Sequence, residues 1–452
     1  MSYHSRLVFA VLFLASLLVG LGTADNPVVQ TIYTADPAPI VHDGRLWLFT
    51  GHDEDGSTNF DMRDWHLFST DDMANWQHHG VVMSLATFSW ASERAWAGHV
   101  VARNGRFYYY VPVSKADGGA MAIGVAVADA ISGPYVDALG HPLVDNTEID
   151  PTIFIDDDGQ AYLYWGNPSL LYVYLNEDMI SYSGDIQQVE LTAESFGARF
   201  NHPTRTTMYE EGPWLHKRGD LYYMSFAADC CQENLQYSTG PSPKGPWTYR
   251  GIIMDREGSA FTNHGGIVQF QGQDYLFYHN GALPGGGGFT RSVCVESLFY
   301  NEDGTIQQVQ MSRSGPTQIR SLDPYTQHEA ETMSWSQGIE TEASGEGTLN
   351  IWSINNGDYI KVQGVEFGAG AASFSARVAS ALNGGSIELR LDALTGQLVG
   401  TCIVPGTGGW QTYVTVSCDI TNANGLHALY FVFRGEGSLD LFNFNWWQFK
   451  AA

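Results

Sequence analysis

Three acids in this chain stand beside prolines at the heads of apolar runs. "YTADPAP" carries Asp36, "TEIDPTIF" carries Asp150, and "YEEGPWL" places Glu211 two residues before Pro213. Carboxyl groups that converge from distant parts of a chain can divide the work of glycoside hydrolysis. One protonates the leaving oxygen, and another on the opposite side activates a water. A third acid nearby disfavours charge on the proton donor and raises its pKa. Glu210 competes with Glu211, because strand neighbours face opposite sides and one alone can point inward. All of this requires the three acids to meet in space.

An internal repeat can bring them together. Five segments share a glycine-containing turn followed by four or five aromatic and aliphatic residues: "VHDGRLWLFTG", "VARNGRFYYYVP", "IDDDGQAYLYWG", "HKRGDLYYMSF" and "QFQGQDYLFYHNG". Such turns between apolar runs are hairpin signals. Their glycines, Gly44, Gly105, Gly159, Gly219 and Gly272, lie 53 to 61 residues apart. Five small antiparallel sheets at a loose fixed period predict a five-bladed β-propeller.

The offset from each glycine is the informative quantity. Asp36 lies eight residues before Gly44, Trp96 nine before Gly105, and Asp150 nine before Gly159. Glu211 lies eight before Gly219, and His264 eight before Gly272. The strand before each hairpin is the innermost one of a propeller, so all five side chains are expected around one axial mouth. Taken singly, an Asp-Pro pair is turn chemistry, Trp96 a core residue and His264 a satisfied interior histidine. The shared offset of three acids carries the functional reading. Proline is tolerated where a strand begins and restricts the preceding residue to extended backbone. Asp36 and Asp150 are therefore expected to be extended, at strand starts.

The 452 residues suffice for two or three domains. With 50 glycines, 13 % aromatic and 16 % charged residues, turn-rich β structure fits better than helical bundles. A net charge of −27 argues against nucleic acid and anionic membranes, whose phosphates need Lys and Arg. A neutral polysaccharide meets no such barrier. His4 and Arg6 precede an apolar run from Leu7 to Leu21, with small residues Gly22 and Ala24 before Asp25, so residues 1–24 read as an export signal. The run is short for a membrane span, and a secreted, soluble monomer is expected. Cys402 and Cys418 flank an expected hairpin and should pair in an oxidising compartment. The state of Cys230, Cys231 and Cys294 is left open.

Together, "YTADPAP", "EIDPTIF", "YEEGPW" and "RSV" followed by "FYNEDG" resemble the blade motifs of glycoside hydrolase family 43, in that family's order, over roughly residues 28 to 312. The resemblance implies an inverting glycosidase with Asp36 as general base, Glu211 as general acid, and Asp150 as the residue that tunes and orients the acid. It implies that Trp96 lines the sugar pocket, that Arg291 touches substrate (a structural ion pair being the alternative), and that His264 lies near the channel axis, where some members hold a cation or water. The Asn-Asp-Pro-Asn-Gly motif of related fructan-cleaving propellers is absent.

After residues 25–319 and a linker at 320–327 the pattern changes. Residues 328–452 show short alternating strands and Gly-rich turns, which predict a β-sandwich. "HEAETM", "NNGDYIKV", "GTGGWQTY" and "LFNFNWWQFK" resemble carbohydrate-binding module family 6. That resemblance implies a cleft in which Trp352 and Trp410 sandwich a sugar and Asn443 supplies a polar contact. It also implies a structural Ca2+ on Glu329 and Glu331, with Asn445 where many members carry Asp. No cofactor is expected for catalysis. The pairing of modules implies removal of α-L-arabinofuranosyl side chains from arabinoxylan. β-Xylosidase or arabinan hydrolysis is the alternative, and a non-catalytic glycan-binding propeller is the least favoured.

Overall fold

The computed structural model describes residues 21–452 except 201, 257, 348, 438 and 439. The apolar run of the expected export signal, all but Leu21, lies outside the described residues. The described chain is almost entirely β. Each of the five turn glycines joins two paired strands. The hairpins are Tyr33–His42 with Arg45–Asp53, His99–Arg103 with Arg106–Lys115, and Thr152–Ile155 with Ala161–Trp165. The last two are Tyr209–Arg218 with Leu221–Ala228 and Gly266–Phe270 with Gln273–Asn280. All five glycines have φ between +59° and +84°. A Cβ there would touch nothing within 4 Å, so the left-handed dihedral, not space, calls for glycine.

A third strand follows each hairpin and pairs with it. The fifth sheet has three strands of its own, and the N-terminal segment completes its edge. There the Val28 N–H donates to Val293 O at 2.9 Å, and Asn26 bonds both polar groups of the Val295 backbone. The first strands of successive sheets pack against one another, and that of the fifth packs against that of the first. Buried aromatic and aliphatic residues fill the spaces between sheets, among them Phe49, Trp65, Tyr109, Tyr223 and Tyr278.

Residues from His328 onward form two further antiparallel sheets around a separate apolar core that includes Phe374, Phe431, Phe444 and Trp447. This is a β-sandwich. It is docked on the first sheet: Thr332–Met333 pairs with Trp76–Ser84. The stretch expected to be a linker is tied down as well. Arg320 pairs with Asp71 at 2.8 Å, and the Leu322 N–H donates to Gly364 O.

Cys402 and Cys418 form a disulfide, but they do not flank a hairpin. Leu398–Pro405 pairs with Gly384–Leu391, whereas Val414–Asp419 pairs with Ala371–Ala379 in the other sheet. The bond therefore staples the two layers. Cys230 and Cys231 are joined to each other, and Cys294 is buried and free. Among the described residues no helix is long and apolar enough to cross a membrane.

Candidate active site

The five residues at the shared offset, Asp36, Trp96, Asp150, Glu211 and His264, line one cavity of about 270 Å³. Arg291 lines it too. Two acids arrive there on irregular backbone. Asp36 has φ +53° and Asp150 φ +62°, so the expected extended conformation before proline is not adopted. Nor does Asp36 begin its strand. It sits inside Tyr33–His42 at a bulge, where Asp36 and Pro37 together oppose Thr50. A bulge re-aims a side chain, which a regular pleat cannot do. Local irregularity is thus used to point the acid inward.

Glu211 lies at a similar disruption. Tyr209 pairs with Ala228 and Glu211 with Ala227, leaving Glu210 as the extra residue. The two glutamates are separated accordingly. Glu210 is 2 % exposed and is taken up by Arg199 at 2.7 Å and by Arg205. Glu211 faces the cavity, where Asn167 Nδ2 donates to its Oε2. Burial raises the Glu211 pKa, and the Asp36 charge adds to this against the opposing Asn167 hydrogen bond. Burial also raises Asp150, with Glu211 and Asp36 contributing. Burial is thus the leading cause, ahead of the neighbouring acids that the motif pattern emphasised.

Asp36 is clamped. Arg291 Nη1 donates to its Oδ1 at 3.2 Å. Arg291 also makes a two-pronged pair with Asp53, with Nε to Oδ2 at 2.9 Å and Nη2 to Oδ1 at 2.8 Å. Burial opposes the guanidinium charge, but Asp36 and Asp53 more than offset it and raise the Arg291 pKa. The arginine is an ion-pair partner and a cavity wall at once. The Asp36 N–H donates to His279 Nδ1 at 3.2 Å, which places the ring hydrogen on Nε2, toward Thr262 O at 3.1 Å. Burial and the Arg291 charge push the His279 pKa down to about 3, so it is neutral.

Asp150 Oδ2 accepts from the Gly212 N–H at 3.0 Å. Gly212 has φ +58°, and a Cβ there would lie 3.0 Å from His264 Nδ1. His264 therefore packs on the residue next to Glu211. Burial lowers its pKa. Phe60, Met62, Phe261, Asn263, Cys230 and Cys231 complete much of the lining. Trp96 Nε1 donates to Phe60 O at 3.1 Å, and the Arg291 guanidinium stands 5.1 Å from the Phe60 ring centre.

With this geometry in place, similarity to known proteins is decisive. The model of glycosyl hydrolases family 43 matches residues 24–306. The chain belongs to glycosyl hydrolase family 43. The family 6 carbohydrate-binding module matches residues 329–451. An arabinoxylan arabinofuranohydrolase of Bacillus subtilis strain 168 is 35 % identical, over 94 % of this chain and 92 % of its own. A family 43 arabinoxylan arabinofuranohydrolase from Bacillus subtilis, solved with cellotetraose, superposes with a TM-score of 0.81 at 32 % identity, covering 96 % of this chain and 99 % of that one. A family 43 β-xylosidase/α-arabinofuranosidase from a compost metagenome, solved with xylotriose in a calcium-free form, has a TM-score of 0.57 at 30 % identity. It covers 65 % of this chain and 99 % of that one.

In this family 43 hydrolase the sandwich carries its own candidate sites. Trp352 and Trp410 are half-exposed, not core. Asn443 Nδ2 donates to Trp410 O at 2.9 Å and to Glu342 Oε1 at 2.7 Å. Ile351 pairs with Phe444, so Trp352 and Asn443 share one sheet end. Gln411, by donating to Glu342 Oε1 at 2.9 Å and to Asn350 Oδ1 at 3.3 Å, links these two residues, which the motifs did not single out. The Ala330 N–H donates to Asn445 O at 2.8 Å, which brings Glu329, Glu331 and Asn445 close. Glu331 is 1 % exposed, and its Oε2 has no hydrogen-bond partner. A buried orphan carboxylate oxygen fits a hard cation.

A second polar cluster lies outside the cavity. Asp64 Oδ1 is 3.0 Å from His52 Nδ1 and 3.2 Å from His66 Nε2. His66 continues through His78 to Thr341 of the sandwich. Both ring nitrogens of His66 and of His78 have a partner, and the cluster ties the first sheet to the second domain.

Proposed function

We propose that this chain removes α-L-arabinofuranosyl side chains from arabinoxylan with inversion at the anomeric carbon. The observation that carries this reading is the shared cavity of Glu211 and Asp36, the first with its pKa raised by burial, the second held by a buried arginine. At about 270 Å³ the cavity sits just below the usual ~300–1,000 Å³ of small-molecule sites. That suits one sugar unit rather than a run of them. The likeness to arabinoxylan arabinofuranohydrolases over nearly the whole chain supports the choice of sugar.

In the reaction Glu211 is the general acid. Asn167 donates to Oε2, so Oε1 carries the proton for the leaving xylan oxygen. Asp36 is the general base. Arg291 fixes its carboxylate, and the neutral His279 ring fixes its backbone, so the carboxylate can take a proton from water on the far face of the sugar. Asp150 acts through Gly212 on the placement of Glu211. Trp96, Phe60 and Phe261 wall the sugar. His264 is read as a packing partner of Gly212 at the cavity floor.

We read residues 25–319 as a five-bladed propeller, with 320–327 joining it to the 328–452 module. Cyclic packing of the first strands and completion of the fifth sheet by the N-terminal segment support that count. In the module Trp352, Trp410 and Asn443 would hold a xylan chain. Glu329 and Glu331 would hold a structural Ca2+, which would neutralise the buried carboxylates. The apolar run after Arg6 and the Cys402–Cys418 disulfide support export to an oxidising compartment.

The test is a product assay on wheat arabinoxylan, linear xylan and linear arabinan. Free arabinose from the first alone supports the reading. Xylose from linear xylan would favour the β-xylosidase alternative, to which the likeness to a β-xylosidase/α-arabinofuranosidase also points.

A further inference from the structure

Cys230 and Cys231 line the catalytic cavity with Asn167 and Glu211, and they are joined to each other. The strand that delivers them, Leu221–Ala228, pairs with the strand of Glu211, Ala227 lying opposite Glu211. The chain then turns through Asp229, at φ +63°. Buried polar groups hold this turn. Arg199 Nη2 donates to Cys230 O at 2.7 Å. The same guanidinium pairs with Glu210 at 2.7 Å and with Asp229 at 3.1 Å. The Cys230 N–H donates to Glu210 at 3.3 Å. A buried arginine and two acids thus fix a turn that contributes two cysteines to the cavity wall.

Asp36, Asp150, Asn167, Glu211 and Arg291 supply polar groups for sugar hydroxyls. A furanose ring also presents C–H groups, which are best met by apolar, polarisable atoms. A disulfide is such a surface. It carries no hydrogen, whereas two free thiols would each bring an S–H donor that needs a partner.

We propose that the Cys230–Cys231 disulfide is a wall of the sugar subsite, packing against the C–H groups of the bound arabinofuranosyl unit and setting its affinity. This rests on the reading that an arabinofuranosyl unit occupies the cavity. Thiol titration of the denatured full chain should find one free thiol, that of Cys294; three would overturn the proposal. In the full chain, Cys230→Ala with Cys231→Ala should raise KM by about tenfold or more, on the scale of a lost apolar contact in a pocket. The inhibition constant of free arabinose should rise in parallel, with kcat and the pH profile kept. Unchanged KM and inhibition constant would overturn the proposal. A lower kcat with a displaced pH profile would do so too, because the turn would then act through Glu211.

If that variant does not fold, the chain carrying Cys402→Ser and Cys418→Ser retains Cys230–Cys231 as its disulfide. A trialkylphosphine reduces it to two thiols while the oxygen of water passes to phosphorus. The same rise in the arabinose inhibition constant is expected, and no rise overturns the proposal. If the product assay shows that another monosaccharide is released, that sugar replaces arabinose as inhibitor. The choice of substrate then fails, while the wall is judged on the inhibition constant alone.

Discussion

Asp150 reaches Glu211 through a neighbour: its Oδ2 accepts from the backbone N–H of Gly212 at 3.0 Å. The two come from different sheets, and Gly212 directly follows Glu211. The hydrogen bond therefore sets the path of the backbone that carries the acid. Its geometry depends on φ +58° at Gly212 and on the His264 ring packed where a side chain would start.

Gly212→Ala should for that reason impair catalysis more than folding. An alanine at that φ is strained, and its Cβ presses on His264. We expect kcat to fall by about 10²-fold, the scale of an ångström-sized misplacement, with cooperative thermal unfolding retained. Wild-type kcat in this variant would show that the Asp150–Gly212 bond does not position Glu211.

The Glu211 carboxyl gives a prediction with a definite sign. Its folded-state pKa is raised, so the folded chain keeps the proton to higher pH than the unfolded one. Between the two pKa values stability falls as pH rises, and kcat falls as the acid deprotonates. Glu211→Gln cannot ionise. It should cost about 10²–10⁴ in rate, as loss of general acid catalysis does, yet raise Tm above neutrality more than in mild acid. Thermal unfolding across pH checks this, and a gain in Tm that is the same at every pH would contradict it.

Much of the site was legible because one offset from a hairpin glycine samples equivalent positions on five first strands. That regularity brings Asp36, Trp96, Asp150, Glu211 and His264 to one cavity. It is blind to residues that arrive otherwise. Asp53 and His279 lie on second strands, and Asn167 and Cys230 lie beyond the ends of second strands. The conformation of Asp36 and Asp150 was misread because the rule for residues before proline describes regular backbone, and both acids occupy left-handed positions, Asp36 at a bulge. The Cys402–Cys418 pairing was legible from proximity in sequence, but sheet membership depends on partners far along the chain.

The sandwich should act on polymer retention and not on bond cleavage. Trp352→Ala with Trp410→Ala is expected to weaken retention on insoluble xylan while kcat/KM on a small aryl glycoside is unchanged. Stacked aromatics contribute to binding through sugar faces, and these two belong to the second domain. Affinity electrophoresis and aryl-glycoside kinetics on one preparation decide it. Equal loss of both with the fold intact would mean that the module helps to build the catalytic cavity.

Proton NMR of the sugar first released from arabinoxylan tests the central claim most directly. Asp36 as a base needs room for a water and gives inversion, so β-L-arabinofuranose should appear first and then mutarotate. Asp36 as a nucleophile would act at the shorter carboxyl spacing of about 5–5.5 Å and give retention. Early α-L-arabinofuranose, or a sugar trapped covalently on Asp36, would contradict the account.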